Sequence, residues 1–232
     1  MNRVGIGGRI VVAAIAGVLG TVALHERQRA EATGRQAGAV SLPFYDGPDF
    51  TPRWRPVDHR IGAFRLVTQE GETFRDSDLD GRIHVASFLF TTCPNLCPML
   101  VQRLRPLQDA ARDWPDVRLV SFSVTPTVDT PSVLAEFGRL HRIDPARWIL
   151  LSGDAEQIDA LARRSYFADD ARVSPSPGGS RRLLHTEKVL LVDQERRLRG
   201  VYDGTQPFEI ERLLGDIAVL RAPRAGRTDP RT

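Results

Sequence analysis

Residues 83–90, IHVASFLF, form a nearly continuous apolar run between Gly81 and a cysteine-bearing loop. A short strand that is apolar in successive positions is buried on both faces, so the sheet it enters must carry cover on both sides. That single run commits the chain to a layered α/β fold, because an open antiparallel sheet would show alternation instead.

The flanking sequence supplies the other layers. Pro98–Arg112 places Leu100, Val101, Leu104, Leu107, Ala110 and Ala111 at helical spacing. VRLVSFSV (117–124) and RWILLSG (147–153) read as further core strands. Between them a helix over 131–141 opens on Thr130 as N-cap with Pro131 at the first position. Glu156–Arg164 is a third helix, KVLLVD (188–193) and RLRGVYDG (197–204) are strands joined by a turn, and Phe208–Leu220 closes with a helix. Upstream, AFRLVT (63–68) turns at Gly71 and pairs back through Thr73 and Phe74, with a short helical turn over Asp76–Leu79. SLPFYDGPDFTPRW (41–54) is extended, since each Pro disfavours helix before it, and its aromatics are expected across the domain surface. The result is a sheet with helices on both faces. The globular domain spans 41–220, followed by a tail over 221–232.

The N-terminus reads differently. Arg3 and Arg9 precede Ile10–Leu24, IVVAAIAGVLGTVAL, which carries no charge. Extended back to Val4, the stretch approaches the roughly 20 apolar residues of a membrane span, with Arg9 free to snorkel to the interface. We read 1–24 as an uncleaved signal-anchor and 25–40 as a linker, which places the domain outside the cytoplasm. No Cys follows the apolar stretch, which excludes a lipid-anchored lipoprotein. The net charge of +3, with acidic residues mixed among the arginines, gives no nucleic-acid surface.

The chain has two cysteines, Cys93 and Cys97, in FTTCPNLCPML. The motif lies after the first buried strand and before the first long helix, where sites form in open α/β sheets. With the second cysteine on the first helical turn, the four-residue spacing puts both sulfurs on one side. The helix N-terminus should then favour thiolate. Two thiolates are soft ligands that select Cu(I), zinc or iron–sulfur clusters. Zinc sites and clusters usually need four protein ligands, and a tetrathiolate is impossible here. A local disulfide, which would contribute little stability across so short a loop, and a thiol–disulfide redox couple are the alternatives. A thiol peroxidase is the weakest reading, because the sequence places no Arg convincingly beside either thiol.

A histidine would complete a three-coordinate copper site. Of the five, His25 belongs to the linker, His59 to a polar loop, His84 to the buried strand and His141 to a helix end. His185 ends the SPSPGGSRR loop (174–182) region and directly precedes a strand. Spacing alone leaves it open between a ligand and an ordinary loop histidine.

FTTCPNLCPML, SFSVTPTVDTP and LLHTEKVLLVDQERRLRGVYDG together resemble the Sco/SenC family of copper proteins, from about Leu42 to Leu220. The resemblance implies a thioredoxin-like fold, a central mixed sheet flanked by helices behind an N-terminal membrane anchor. It implies copper as the bound ion, with Cys93, Cys97 and His185 matching the family's ligands. It also implies a role in assembling the binuclear copper site of cytochrome c oxidase. The partners would be the apo copper subunit and other periplasmic copper chaperones or thioredoxin-like reductants. Members also show thiol–disulfide activity through the same pair, which makes a membrane-anchored oxidoreductase the alternative. One position departs: the family's Ser-Val-Asp-Pro reads Ser-Val-Thr-Pro here, with Thr125 at the Asp position and Asp129 kept. Losing that charge should alter tuning of the site rather than ligation.

Overall fold

The computed structural model describes residues 41–168 and 186–222. The signal-anchor and linker expected over 1–40, the loop 174–182, His185 and the tail from 223 lie outside the described residues. Among the described residues no helix is long and apolar enough to cross a membrane.

The sheet has seven strands: β1 (Arg65–Thr68), β2 (Thr73–Arg75), β3 (Ile83–Leu89), β4 (Val117–Ser123), β5 (Trp148–Ser152), β6 (Lys188–Val192) and β7 (Leu198–Asp203). Their order is β2-β1-β5-β4-β3-β6-β7. The strand read first in the sequence, β3, is buried at every position and lies near the middle. It pairs parallel with β4 from Ile83↔Val117 to Leu89↔Ser123 and antiparallel with β6. β4 and β5 are also parallel, while β1, β2 and β7 pair antiparallel, so the sheet is mixed.

The helices are α1 (Leu96–Ala110), α2 (Pro131–Leu140), α3 (Ala155–Ala160) and α4 (Pro207–Arg221). A 3-10 turn spans Asp76–Leu79, and α3 runs into a π-helical turn over Leu161–Ser165 instead of continuing to Arg164 as one α-helix. α1, α2 and α4 cover one face. There Leu100, Leu104, Leu134, Phe137, Leu213 and Ile217 pack with Val85, Leu89, Leu119 and Trp148. The opposite face packs Ala86, Phe88, Val120 and Phe122 against Ile158, Leu161 and Tyr166. Alternate residues of β3 therefore feed two cores, which is why its sequence shows no polar face.

The Thr130 cap follows the sequence reading, and Asp154 caps α3 in addition. Thr130 Oγ1 accepts from the Val133 N–H at 3.4 Å behind Pro131, and Asp154 Oδ1 accepts from the Gln157 N–H at 2.7 Å. The 41–54 segment differs from expectation in part. Leu42 and Phe44 are buried, because the Arg199 guanidinium lies 3.8 Å over the Phe44 ring and also donates to the carbonyls of Leu42 and Pro43. Arg199 is held in turn by the buried Asp193 at 2.9 Å. Trp54 does lie on the surface, 71% exposed.

One close approach fixes how β6 begins. Gly204, just past β7, donates its N–H to the Glu187 carbonyl at 2.8 Å. A Cβ there would meet Leu100 Cδ1 of α1 at 2.2 Å and Val189 Cγ2 at 2.7 Å. Gly204→Ala should therefore cost about 2–3 kcal/mol in urea unfolding, the upper part of the range for overpacking a well-filled core. A variant as stable as the parent would show that the turn is free to yield.

Candidate functional site

α1 begins at Leu96, two residues earlier than its apolar spacing suggested, so Cys97 sits in the first helical turn and Cys93 in the loop before it. Pro94 limits the loop's freedom, Pro98 sits in the first turn of α1, and neither offers a backbone donor. Both cysteines are buried free thiols. The Cys97 N–H points back to Cys93 Sγ at 3.3 Å. The two side chains are thus brought together on one side of the helix start, as the spacing required.

The thiols are not equivalent. Burial opposes ionisation of Cys93, but hydrogen bonds from the backbone and thiol of Cys97 and from the N–H groups of Asn95 and Leu96 outweigh it, and its pKa falls below the usual thiol value. Cys97 goes the other way. Burial pushes its thiol up to about 12, against a hydrogen bond from the Phe90 N–H, with the neighbouring Cys93 and Asp129 pushing it further. The expectation that the helix start favours thiolate therefore holds for the loop cysteine and fails for the helical one. Amide groups at the helix start converge on Cys93, while Cys97 is packed into the core. Iodoacetamide at neutral pH should modify Cys93 at least about tenfold faster than Cys97, read by peptide mass spectrometry. Faster labelling of Cys97 would reverse the assignment.

Close to the thiols lies a carboxylate. Asp129 is fully buried. Its Oδ2 accepts from the Thr91 N–H at 3.2 Å, from Ser123 Oγ at 2.5 Å and from Thr125 Oγ1 at 3.0 Å, and its Oδ1 accepts from Thr91 Oγ1 at 2.5 Å. Ser123 Oγ also accepts from the Thr125 N–H at 3.1 Å. One side chain thus ties the loop leaving β3 to the loop leaving β4. Thr125, the departure noted in the sequence, donates a hydrogen bond where a second carboxylate would face Asp129 as a like charge. Thr91 and Ser123 were missed by the sequence reading. The available signal was a set of hydroxyl residues at the carboxyl ends of two adjacent apolar strands.

Three of the histidines have other surroundings. His59 Nε2 lies 2.8 Å from the Ser165 carbonyl, and His141 packs on Phe137 in a tilted arrangement with ring centroids 4.3 Å apart. His84 is fully buried, with Nε2 3.0 Å from Tyr166 Oη and Nδ1 without a partner. These contacts do not bring any of the three to the thiols. β6 opens at Lys188, and Thr186, the first described residue after His185, is buried. Among the described residues no group of three or more metal-ligating side chains occurs.

Comparison with known proteins points to one family. The family profile described as SCO1/SenC matches residues 54–220. A SCO1 protein homolog of Bacillus subtilis (strain 168) is 26% identical over 164 residues, covering 70% of this chain and 83% of the relative. Two solved structures share the fold. BsSco, described as a member of the Sco family of cytochrome c oxidase assembly proteins with a disulfide switch, superposes with a TM-score of 0.59 at 25% identity, covering 71% of this chain and 95% of its own. ScoI of Bradyrhizobium japonicum with copper bound gives 0.52 at 25% identity, covering 68% and 98%.

Proposed function

The chain belongs to the SCO1/SenC family, and on that footing we propose that it binds one copper ion and delivers it to the binuclear copper site of cytochrome c oxidase during assembly. The observation that carries this reading is the pair of buried free thiols, Cys93 and Cys97, held at the start of α1 beside the Asp129 network. The donor set fits the cargo: two adjacent soft sulfurs suit Cu(I), and four-ligand zinc or cluster chemistry has too few cysteines. His185 is the third ligand in this reading. It precedes Thr186 and β6, which the Gly204 contact holds against α1.

In this reading the residues take the following roles, which the unequal thiols and the Asp129 network support. Cys93 is the readily ionised sulfur and the first to engage the ion. Cys97 must lose its proton as the ion arrives, so loading releases protons. Asp129 fixes both loops and keeps the sulfurs in register. Delivery is ligand exchange: each bond from the ion to this chain is replaced by one to the acceptor, with no change in oxidation state required. The acceptor is the apo copper subunit of the oxidase, with the signal-anchor over 1–24 tethering the domain at the extracytoplasmic membrane surface.

A second reading has its own support. The unequal thiols suit a thiol–disulfide oxidoreductase, with Cys93 as nucleophile and Cys97 as resolving thiol. That chemistry needs no histidine. Cells carrying His185→Ala separate the two: a copper donor loses assembled oxidase activity, whereas a reductase keeps it.

A further inference from the structure

A groove of about 480 Å³ opens between the N-terminal half of α1 and the end of α2. Pro98, the residue after Cys97, is part of its lining, and Met99 and Leu140 add apolar surface. Leu140 is 62% exposed, unusual for a large apolar side chain. Val133 is also exposed, and its seven-residue separation from Leu140 puts both on one side of α2. The rest of the lining is Val101, Gln102, Arg105, His141 and Arg142, with two guanidiniums and no carboxylate among them.

Those charges are arranged rather than incidental. Arg105 Nη1 donates to the His141 carbonyl at 3.3 Å, which fixes the guanidinium at the groove while using one of its five N–H groups. Among the described residues neither Arg105 nor Arg142 has a carboxylate partner. Nearby Arg112 and Arg139 are paired with Asp109 and Glu136. Arg142 adopts a left-handed backbone, φ 54°, at the residue after the helix cap, where glycine is the usual occupant. Keeping an arginine there carries a conformational cost that local structure does not require.

We propose that this groove docks the copper acceptor, through an acidic segment of that protein carrying an apolar anchor residue. The complement of two guanidiniums is a pair of carboxylates, and the complement of Met99 and Leu140 is an apolar side chain. Pro98 in the lining directly follows Cys97 in the chain, so a segment seated in the groove lies against the helix start that carries the thiol. The proposal rests on the copper-delivery reading and adds the surface and the partner's chemistry to it.

The test uses the full chain, copper-loaded, with the apo copper domain of the same organism's oxidase subunit as probe. Binding is measured by titration, and copper transfer by stopped-flow, at low and high salt. R105E/R142E should bind the same amount of copper as the parent but weaken domain binding at least about tenfold, and the parent's affinity should fall with salt. Leu140→Asp, at an exposed position that does not threaten folding, should weaken binding as well. If all variants bind the domain like the parent while transfer proceeds, the groove is not the dock and copper delivery stands. If the parent itself neither binds the domain nor passes copper to it, the delivery reading fails and takes the docking proposal with it.

Discussion

Replacing Asp129 by alanine is expected to cost the domain about 3 kcal/mol and to weaken copper binding together with it. The carboxylate is fully buried and accepts from Thr91 twice, from Ser123 and from Thr125. Alanine leaves the Thr91 N–H and the buried Ser123 hydroxyl without an acceptor, and each orphaned buried donor costs about 1–3 kcal/mol. Two such donors span about 2–6 kcal/mol, and because the hydroxyl can rotate toward another acceptor while the backbone N–H cannot, the total falls in the lower half of that span, near about 3 kcal/mol. Asn at the same position keeps one acceptor oxygen and the shape, so Asp129→Asn should cost less than half as much. Urea unfolding of the two variants checks the ordering. Because Thr91 lies two residues before Cys93, the loop's order should fall with the network. Equal stabilities for parent and Asp129→Ala would mean that the loops are held elsewhere.

The second large effect is a pH dependence that originates away from the thiols. Burial drives the His84 pKa down to about 3, with a smaller contribution in the same direction from Arg196. The imidazole sits in β3 with Nε2 at Tyr166 and Nδ1 unpartnered, so the fold accepts it neutral. Burial raises the Tyr166 phenol pKa as well, which keeps that partner neutral. The unfolded chain protonates an ordinary histidine near pH 6.5, so between about pH 6.5 and 3 the unfolded state binds the extra proton. Stability from this group is fully present above about pH 6.5 and is lost as the pH falls toward 3. By about pH 5 the loss should reach about 2 kcal/mol, at about 1.4 kcal/mol per pH unit once the unfolded histidine is charged. His84→Gln should remove that part of the slope. The readout is the difference in pH slope between the two proteins, since other acid-sensitive groups contribute to both. Parallel slopes would show that His84 takes up its proton alike in the folded and unfolded states.

The fold was legible where one physical demand dominated. IHVASFLF has no polar face because β3 feeds two cores, and burial of that kind leaves its mark in consecutive residues. The Thr130–Pro131 helix start was legible for the same reason: capping is local. The helix start at Leu96 was not, because Leu96 and Cys97 precede the periodic stretch and follow a loop tied to Asp129. Phe44 was expected at the surface, yet its burial depends on Arg199, which is remote in sequence. The site was legible in its two sulfurs, whose spacing is local. Their inequality was not, since it arises from core packing around Cys97 and converging amides around Cys93. Arg105 and Arg142 meet at one groove only through the packing of α1 beside α2, which no linear pattern records.

A single copper held by Cys93, Cys97 and His185 is tested most directly by X-ray absorption at the copper edge. The sample is the reduced full chain loaded with one equivalent of Cu(I), beside His185→Ala treated identically. Two sulfur neighbours and one nitrogen neighbour are expected in the parent, with loss of the imidazole signal and weaker binding in the variant. An unchanged spectrum and unchanged affinity in His185→Ala would contradict the three-ligand site.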